Sequence, residues 1–168
     1  MGDVVQKDGI YDKIMLLQKL LLTETDEWEE NMPPVTHHFG PKVYLREIEM
    51  KANEHTFVIG CKHKTEHFNI VLTGRASVLM DYEKGEWQEI KAPAVFISKP
   101  GVKKVLKIHE DMRWLTVHPL DEDKTEEDLP ELEELLTEEP PSKMHAEAKT
   151  IKELRRLSLA RDRKRRLA

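Results

Sequence analysis

A stretch of seven residues contains a thiol, two imidazoles and a carboxylate, which are side chains that bind metals or transfer protons. They are Cys61, His63, Glu66 and His67, and an apolar segment follows them directly. Residues at i and i+2 of a strand share one face about 6.6–6.8 Å apart, so Cys61 and His63 can face one inward point. A turn would return His67 to that point. Thiolate and imidazole suit Zn²⁺, Fe²⁺ or Ni²⁺, and three protein ligands with an open position are typical of a catalytic metal.

The stretch therefore predicts one divalent transition metal (Fe, Zn or Ni) on Cys61, His63 and His67. Two alternatives stay open. In the first, the histidines line a polar ligand pocket that holds no metal. In the second, they are structural and hydrogen-bond one another, while Glu66 pairs with a surface lysine.

The segments around this stretch predict an all-β domain. Between residues 42 and 117, short runs rich in β-branched and aromatic residues alternate with glycine, proline or charged clusters at about 8–12-residue spacing. Gly85 and Gly101 mark two of the turns. Apolar residues recur at helical spacing over residues 10–22, which predicts an amphipathic helix before the sheet.

Charge is distributed unevenly along the chain. The net charge of −5 comes from 27 basic and 32 acidic residues. Residues 121–139 hold eleven acidic residues and one lysine, hence −10, whereas residues 149–168 hold nine basic and two acidic residues, hence +7. The acidic part predicts a short helix after Pro130, because proline is tolerated in a first helical turn. The basic end predicts an arm that contacts a partner protein, with nucleic acid as a second candidate partner.

The number of cysteines and the hydropathy of the chain indicate the cellular compartment in which the protein is expected. The chain has one cysteine, which excludes an internal disulfide and is compatible with a reducing compartment. We expect no signal peptide at the N-terminus, and the longest apolar run is too short to span a bilayer. A cytoplasmic protein without a membrane partner is expected.

The strand pattern and the opening stretch together resemble the cupin superfamily, whose members are small antiparallel β-barrels. Their first motif has His-x-His, then Glu after three or four residues, then Gly after six more. Cys61, His63, His67 and Gly74 occupy these places, so that two residue types differ from the motif.

The second cupin motif is also matched in part. It pairs a Pro and Gly turn with a His that binds the metal, and here Pro100 and Gly101 are followed by Lys104 in the place of that ligand. An ammonium group has no lone pair until it loses its proton, so Lys104 opposes a cation.

A second resemblance covers about residues 43–119 and is to the small cupin-like proteins of tailed bacteriophages. It rests on four elements that occur in the same order. They are Tyr44, Arg46 and Glu47; His63, Lys64, Glu66 and His67; Pro100, Gly101 and Lys104; and His109, Glu110, Asp111, Trp114 and His118. This resemblance implies a barrel and a viral or prophage origin, with the protein in the host cytoplasm or the virion.

Two further histidines, His109 and His118, flank the last predicted hairpin. Barrel closure as in cupins would bring one of them to His63 and His67, and the alternative is a rim histidine bonded to a neighbouring carboxylate. The predicted ligand pocket comprises His63, His67, Lys104, His109 and His118. Glu66 and His109 are the candidate catalytic acid–base groups. The paired His37 and His38 are expected in an exposed loop before the first strand.

We therefore expect a cupin-like jelly-roll barrel with an N-terminal helix and a charged, helical or disordered C-terminal tail. The expected divisions are residues 1–39, 40–119 and 120–168, and exposed sheet edges predict a homo-oligomer. The favoured function is a non-enzymatic phage-type binding module, virion-associated or host-interacting, whose charged tails contact partner proteins. The alternative is a metal-dependent enzyme that acts on a small molecule.

Overall fold

The computed structural model describes residues 9–24, 32–52, 57–81 and 84–166. Within these residues the chain forms a helix, a series of strands and two further α-helices. Their bounds are α1 (Ile10–Glu24), β1 (Val35–Gly40), β2 (Val43–Met50), β3 (Val58–Ile59), β4 (His67–Asp81), β5 (Glu86–Lys91), β6 (Ala94–Ser98), β7 (Val105–Pro119), α2 (Leu129–Leu136) and α3 (Pro141–Arg166). A 3₁₀ helix, Glu126–Asp128, leads into α2.

The strands pair in an antiparallel sheet built on the two longest ones, β4 and β7, which lie side by side. One end of this pair is flanked by β2 and β6, and β1 extends it beyond β2. The other end is flanked by β3 and β5. Since each long strand has different partners at its two ends, the sheet consists of two halves that share β4 and β7.

Gly74 is the point at which β4 turns from one half to the other. Its φ is +87°, and the pairing register with β7 shifts on both sides of it. The inward positions of β4 change from odd to even numbers across the bend, because Val71 is buried before it and Ala76 and Val78 after it. The two halves therefore fold over one core, and the fold is the predicted all-β, cupin-like barrel. That core comprises Met50, Val71, Ala76, Val78, Leu106, Ile108, Met112 and Trp114.

The buried Trp114 links the core to a polar network. Its Nε1 donates to Asn69 Oδ1 over 3.0 Å, and Asn69 Nδ2 donates to Ser98 Oγ over 2.9 Å. Trp114→Phe leaves the buried Asn69 Oδ1 without its donor, so we expect a loss of about 1–3 kcal/mol in the free energy of unfolding. Urea denaturation measures it. Trp87→Phe is the control, because Trp87 is 47% exposed; equal losses in the two variants would contradict the prediction.

The N-terminal helix is confirmed and is one half-turn longer than predicted. Ile14 of α1 packs on Leu79 and Val105 of the barrel. Helix α1 also contacts α3, where Gln18 Nε2 donates to Met144 Sδ over 3.1 Å. No helix within the described residues is both long and apolar enough to cross a membrane.

His37 and His38 lie on strand β1, which corrects the expectation of an exposed loop. His37 Nδ1 lies 2.7 Å from Tyr44 Oη, and His38 Nε2 lies 2.9 Å from Glu47 Oε2. Alternation explains the two environments, since neighbouring residues of a strand point to opposite faces. His37 faces the inside of the barrel and His38 the outside.

Candidate ligand cavity at the barrel mouth

A cavity of about 100 Å³ opens between the inward faces of β2 and β7. Its lining alternates along both strands, as the two-residue period of a strand requires. The residues concerned are Tyr44, Arg46, Ile48 and Met50 of β2 and Trp114, Thr116 and His118 of β7. One water needs about 10–15 Å³ of such space, so the cavity suits a ligand of about seven to ten non-hydrogen atoms.

One wall of the cavity comes from beyond the strands. The closing segment (residues 129–139) consists of α2 and the three residues after it. Lys64 N donates to Leu136 O and Glu138 N donates to Lys62 O, each over 2.8 Å. Leu132 and Leu136 pack on Tyr44, and Glu133 also lines the cavity. Residues that the sequence predicted as part of an acidic tail thus lie against the barrel.

Three histidines form a cluster beside the cavity. His63 follows β3, His67 begins β4, and His118 lies near the end of β7. The ring centroids are 4.3 Å apart for His63 and His67, 5.1 Å for His63 and His118, and 4.8 Å for His67 and His118. The sequence left His109 and His118 as alternatives for the third histidine, and barrel closure brings His118 of β7 to His63 and His67.

One ring nitrogen of each histidine is buried without a hydrogen-bond partner among the described residues: His63 Nδ1, His67 Nε2 and His118 Nδ1. The other nitrogen of His67, Nδ1, lies 3.1 Å from Thr65 O, and a carbonyl oxygen can only accept. His67 therefore carries its proton on Nδ1 and an unused lone pair on Nε2. His118 Nε2 lies 3.0 Å from Thr116 Oγ1.

Burial keeps this cluster neutral. Loss of water lowers the pKa of His63 to about 2 and that of His118 to about 3, and the neighbouring histidines, Lys104 and Arg46 act in the same direction. Burial likewise lowers the pKa of His67. At neutral pH each ring is therefore an uncharged group with one N–H and one lone pair.

Two cations face the cavity. Lys104 is only 7% exposed, and burial lowers the pKa of its amine to about 8. Within the part of the chain that the structure describes, neither Lys104 nor Arg46 forms a side-chain hydrogen bond or ion pair. Lys103 differs: it is fully buried, and its Nζ lies 2.8 Å from Glu139 Oε2.

The other predicted site residues divide into two groups. Cys61 lines the cavity, where burial raises the pKa of its thiol. Neither His109 nor Glu66 lines it, which corrects the expectation that His109 approaches His63 and His67. Odd-numbered positions of β7 face outwards, and His109 Nε2 lies 2.7 Å from Ser77 Oγ. Glu66 is exposed.

These residues do not fit a divalent metal, although their three unpaired ring nitrogens would suit one chemically. Among the described residues, no three His, Cys, Asp or Glu side chains are arranged to hold a metal ion. Lys104 and Arg46 bring positive charge to the same cavity. The raised pKa of Cys61 favours the thiol, whereas the thiolate is the metal ligand. The metal predicted on Cys61, His63 and His67 thus lacks the geometry and the charge that it needs.

Arg46, Tyr44 and the closing segment also line this cavity, although none of them was predicted to do so. The alternation of Tyr44, Arg46, Ile48 and Met50 along one strand is the signal that could have placed the first two. The same rule separates His109 from His118, because positions nine residues apart on one regular strand face opposite sides.

Solved structures of cupin proteins align with about half of this chain. A cupin superfamily protein from Desulfitobacterium hafniense DCB-2 is 12% identical, with a TM-score of 0.40 over 52% of this chain and 79% of that chain. The EutQ protein of Clostridium difficile is 17% identical, with a TM-score of 0.41 over 53% and 64%. HppE, crystallised with Co(II) and its substrate, is 13% identical, with a TM-score of 0.43 over 51% of each chain.

No protein-family model and no curated protein matches the sequence. The structural likenesses concern the course of the barrel strands. They do not indicate what this chain binds.

Proposed function

We propose that this chain is a non-enzymatic, cupin-like binding module that holds a small organic anion in the barrel cavity. The observation that carries the proposal is the pair of cations, Lys104 and Arg46, that face the cavity without a partner among the described residues. Burial of a charged group costs free energy unless it is paired. Two cations and one carboxylate, Glu133, line the cavity, so a net positive charge remains there for a carboxylate ligand to pair with.

The rest of the lining suits the organic part of such a ligand. Apolar side chains form the floor of the cavity: Ile48, Met50, Val58, Leu106 and Trp114. Arg46 presents a planar fork that matches a carboxylate in two hydrogen bonds. The cluster of neutral histidines beside it adds hydrogen-bond donors and acceptors without further charge.

The setting we propose follows the resemblance to phage proteins. The module belongs to a virion or to the host cytoplasm, forms a homo-oligomer and contacts a partner protein through α3. Leu154, Leu157 and Leu159 of α3 are 62%, 54% and 71% exposed and lie among basic residues. Exposed apolar residues on a basic helix support a helix that docks on another surface, with nucleic acid as the alternative partner.

Calorimetric titration with lactate tests the anion site, and lactamide is the matched uncharged ligand. We expect lactate to bind and lactamide to bind at least about tenfold more weakly, since lactamide lacks the charge that pairs with Lys104 and Arg46. Arg46→Leu and Lys104→Met should each weaken lactate binding by about 30-fold or more. Lys99→Met, an exposed lysine of the neighbouring turn, is the control. The proposal would be overturned if lactate does not bind, or if Arg46→Leu and Lys104→Met both bind lactate as tightly as the wild-type chain.

The alternative function, a metal-dependent enzyme, has one observation in its favour, the three buried ring nitrogens of His63, His67 and His118 that lack a partner among the described residues. The geometry and charge of the same residues count against it. Elemental analysis of the purified protein separates the two functions. If the purified protein contains a stoichiometric transition metal, and a His118→Ala variant loses it, the metal-dependent enzyme is supported and the anion-binding module is contradicted. Metal-free protein that fails to take up added Fe²⁺, Zn²⁺ or Ni²⁺ would leave the enzyme without its Lewis acid.

A further inference from the structure

We infer that Lys104 holds its ligand covalently, as a reversible imine with a small 2-oxo acid whose carboxylate is bound by Arg46. This inference rests on the proposed function, because it places an organic anion in the same cavity and adds one bond. The ligand class is narrower: a carbonyl group must lie next to the carboxylate.

The geometry of two neighbouring lysines supports this role. Lys103 and Lys104 are both buried directly before β7, but of the two only Lys104 lines the cavity. Lys103 is fixed by Glu139, 2.8 Å away, and belongs to the structure of the closing segment. Lys104 lines the cavity and has no such partner within the described ranges. Burial lowers the pKa of Lys104 to about 8, so that a minor fraction of its amine is unprotonated and nucleophilic at neutral pH while the rest is the cation that attracts the carboxylate.

The chemical step needs nothing beyond the amine and the ligand. The lone pair of Lys104 Nζ attacks the carbonyl carbon, and a C–N bond forms as the C–O π bond breaks. The resulting carbinolamine loses its oxygen as water, whose two hydrogens come from the amine. No oxidant or reductant takes part, and hydrolysis reverses the step.

The surroundings suit the carbinolamine and the imine. His63 and His118 line the cavity, and each has a buried ring nitrogen without a partner among the described residues. Such a nitrogen can pair with the hydroxyl of the carbinolamine. Cys61 is the competing nucleophile in the cavity, and the raised pKa of its thiol disfavours attack by the thiolate.

Reductive trapping of the full chain tests the inference, with pyruvate as the probe and cyanoborohydride as the reductant. We expect one reduced pyruvate adduct per chain in the intact mass. Peptide mapping should place it on Lys104 and not on Lys103 next to it. Lactate has the same carboxylate but no carbonyl group, and it should protect Lys104 from trapping.

Variants sharpen the test. Lys104→Arg keeps the charge and Lys104→Met fills the space, and either should reduce the trapped adduct by about tenfold or more, since neither side chain can form an imine. Lys99→Arg should trap as the wild-type chain does. Thermal unfolding of each variant shows whether it is folded, and the wild-type result decides the inference independently of them.

The outcomes separate the inference from the proposed function. Lactate binding without a trapped adduct, or an adduct spread over exposed lysines, overturns the imine and leaves the anion site standing. Failure of both lactate and pyruvate to bind overturns both.

Discussion

Gly74→Ala is expected to lower the free energy of unfolding by about 3–5 kcal/mol. Two effects add at this position. The φ of +87° is a conformation that costs an L-residue about 1–2 kcal/mol. A Cβ would also collide with Asp111 O and lie 2.7 Å from Met112 Cγ, so the backbone of β7 would have to move away from β4.

Gly101→Ala is the matched control for this prediction. Gly101 has a similar φ of +78°, but an added Cβ would meet only Lys62 Cε at 3.8 Å. The control therefore isolates the backbone effect, and we expect it to cost about 1 kcal/mol. Urea denaturation of both variants measures the difference. Equal costs at the two positions would show that close packing at Gly74 does not set the bend of the barrel.

The second large effect is a loss of stability on mild acidification. His63 and His118 have pKa values of about 2 and about 3 in the folded protein, well below the ordinary value of 6.5. The unfolded chain therefore binds more protons as pH falls below 6.5, which favours unfolding. At pH 5 each of these histidines costs about 2 kcal/mol relative to pH 7, because a difference of one pKa unit is worth about 1.4 kcal/mol.

Chemical denaturation at pH 7, 6 and 5 measures this effect. Carboxylates contribute little in this window, since their pKa values in unfolded chains are about 4. The double variant His63→Gln/His118→Gln should lose most of the pH dependence, although its stability at pH 7 also changes. A double variant that keeps the wild-type slope would show that other groups take up the protons.

The strands and the first helix could be predicted because their signals are local. Turn residues such as Gly85 and Gly101 interrupt β-branched runs, and helical spacing marks residues 10–22. The convergence of His63 and His67 could also be proposed from their spacing. For the third histidine the sequence left a choice between His109 and His118. Trp114 is buried on the inner face of β7, and His118, an even number of residues further along the strand, shares that face, whereas His109 does not.

The closing segment could not be placed from its own residues. Its composition is acidic, and Leu132, Leu136 and Thr137 are its buried residues, so its pattern is also that of a solvated helix. What fixes it is a set of backbone hydrogen bonds to Lys62 and Lys64, which depend on tertiary position and leave no trace in residue type. The sequence also could not predict that Lys104 lacks a side-chain partner among the described residues. Whether a lysine forms an ion pair depends on which carboxylates the fold brings near it.

The position of the closing segment decides where this chain can be shortened or fused to another protein. A chain cut after Pro119 would keep every strand of the barrel but lose Leu132, Leu136 and the Glu139 partner of Lys103, leaving a lysine stranded in an apolar setting. A cut after Pro140 retains all of them. We therefore expect the smallest unit that folds alone to end at about residue 140, with the contacts between α3 and α1 as the part that such a cut removes.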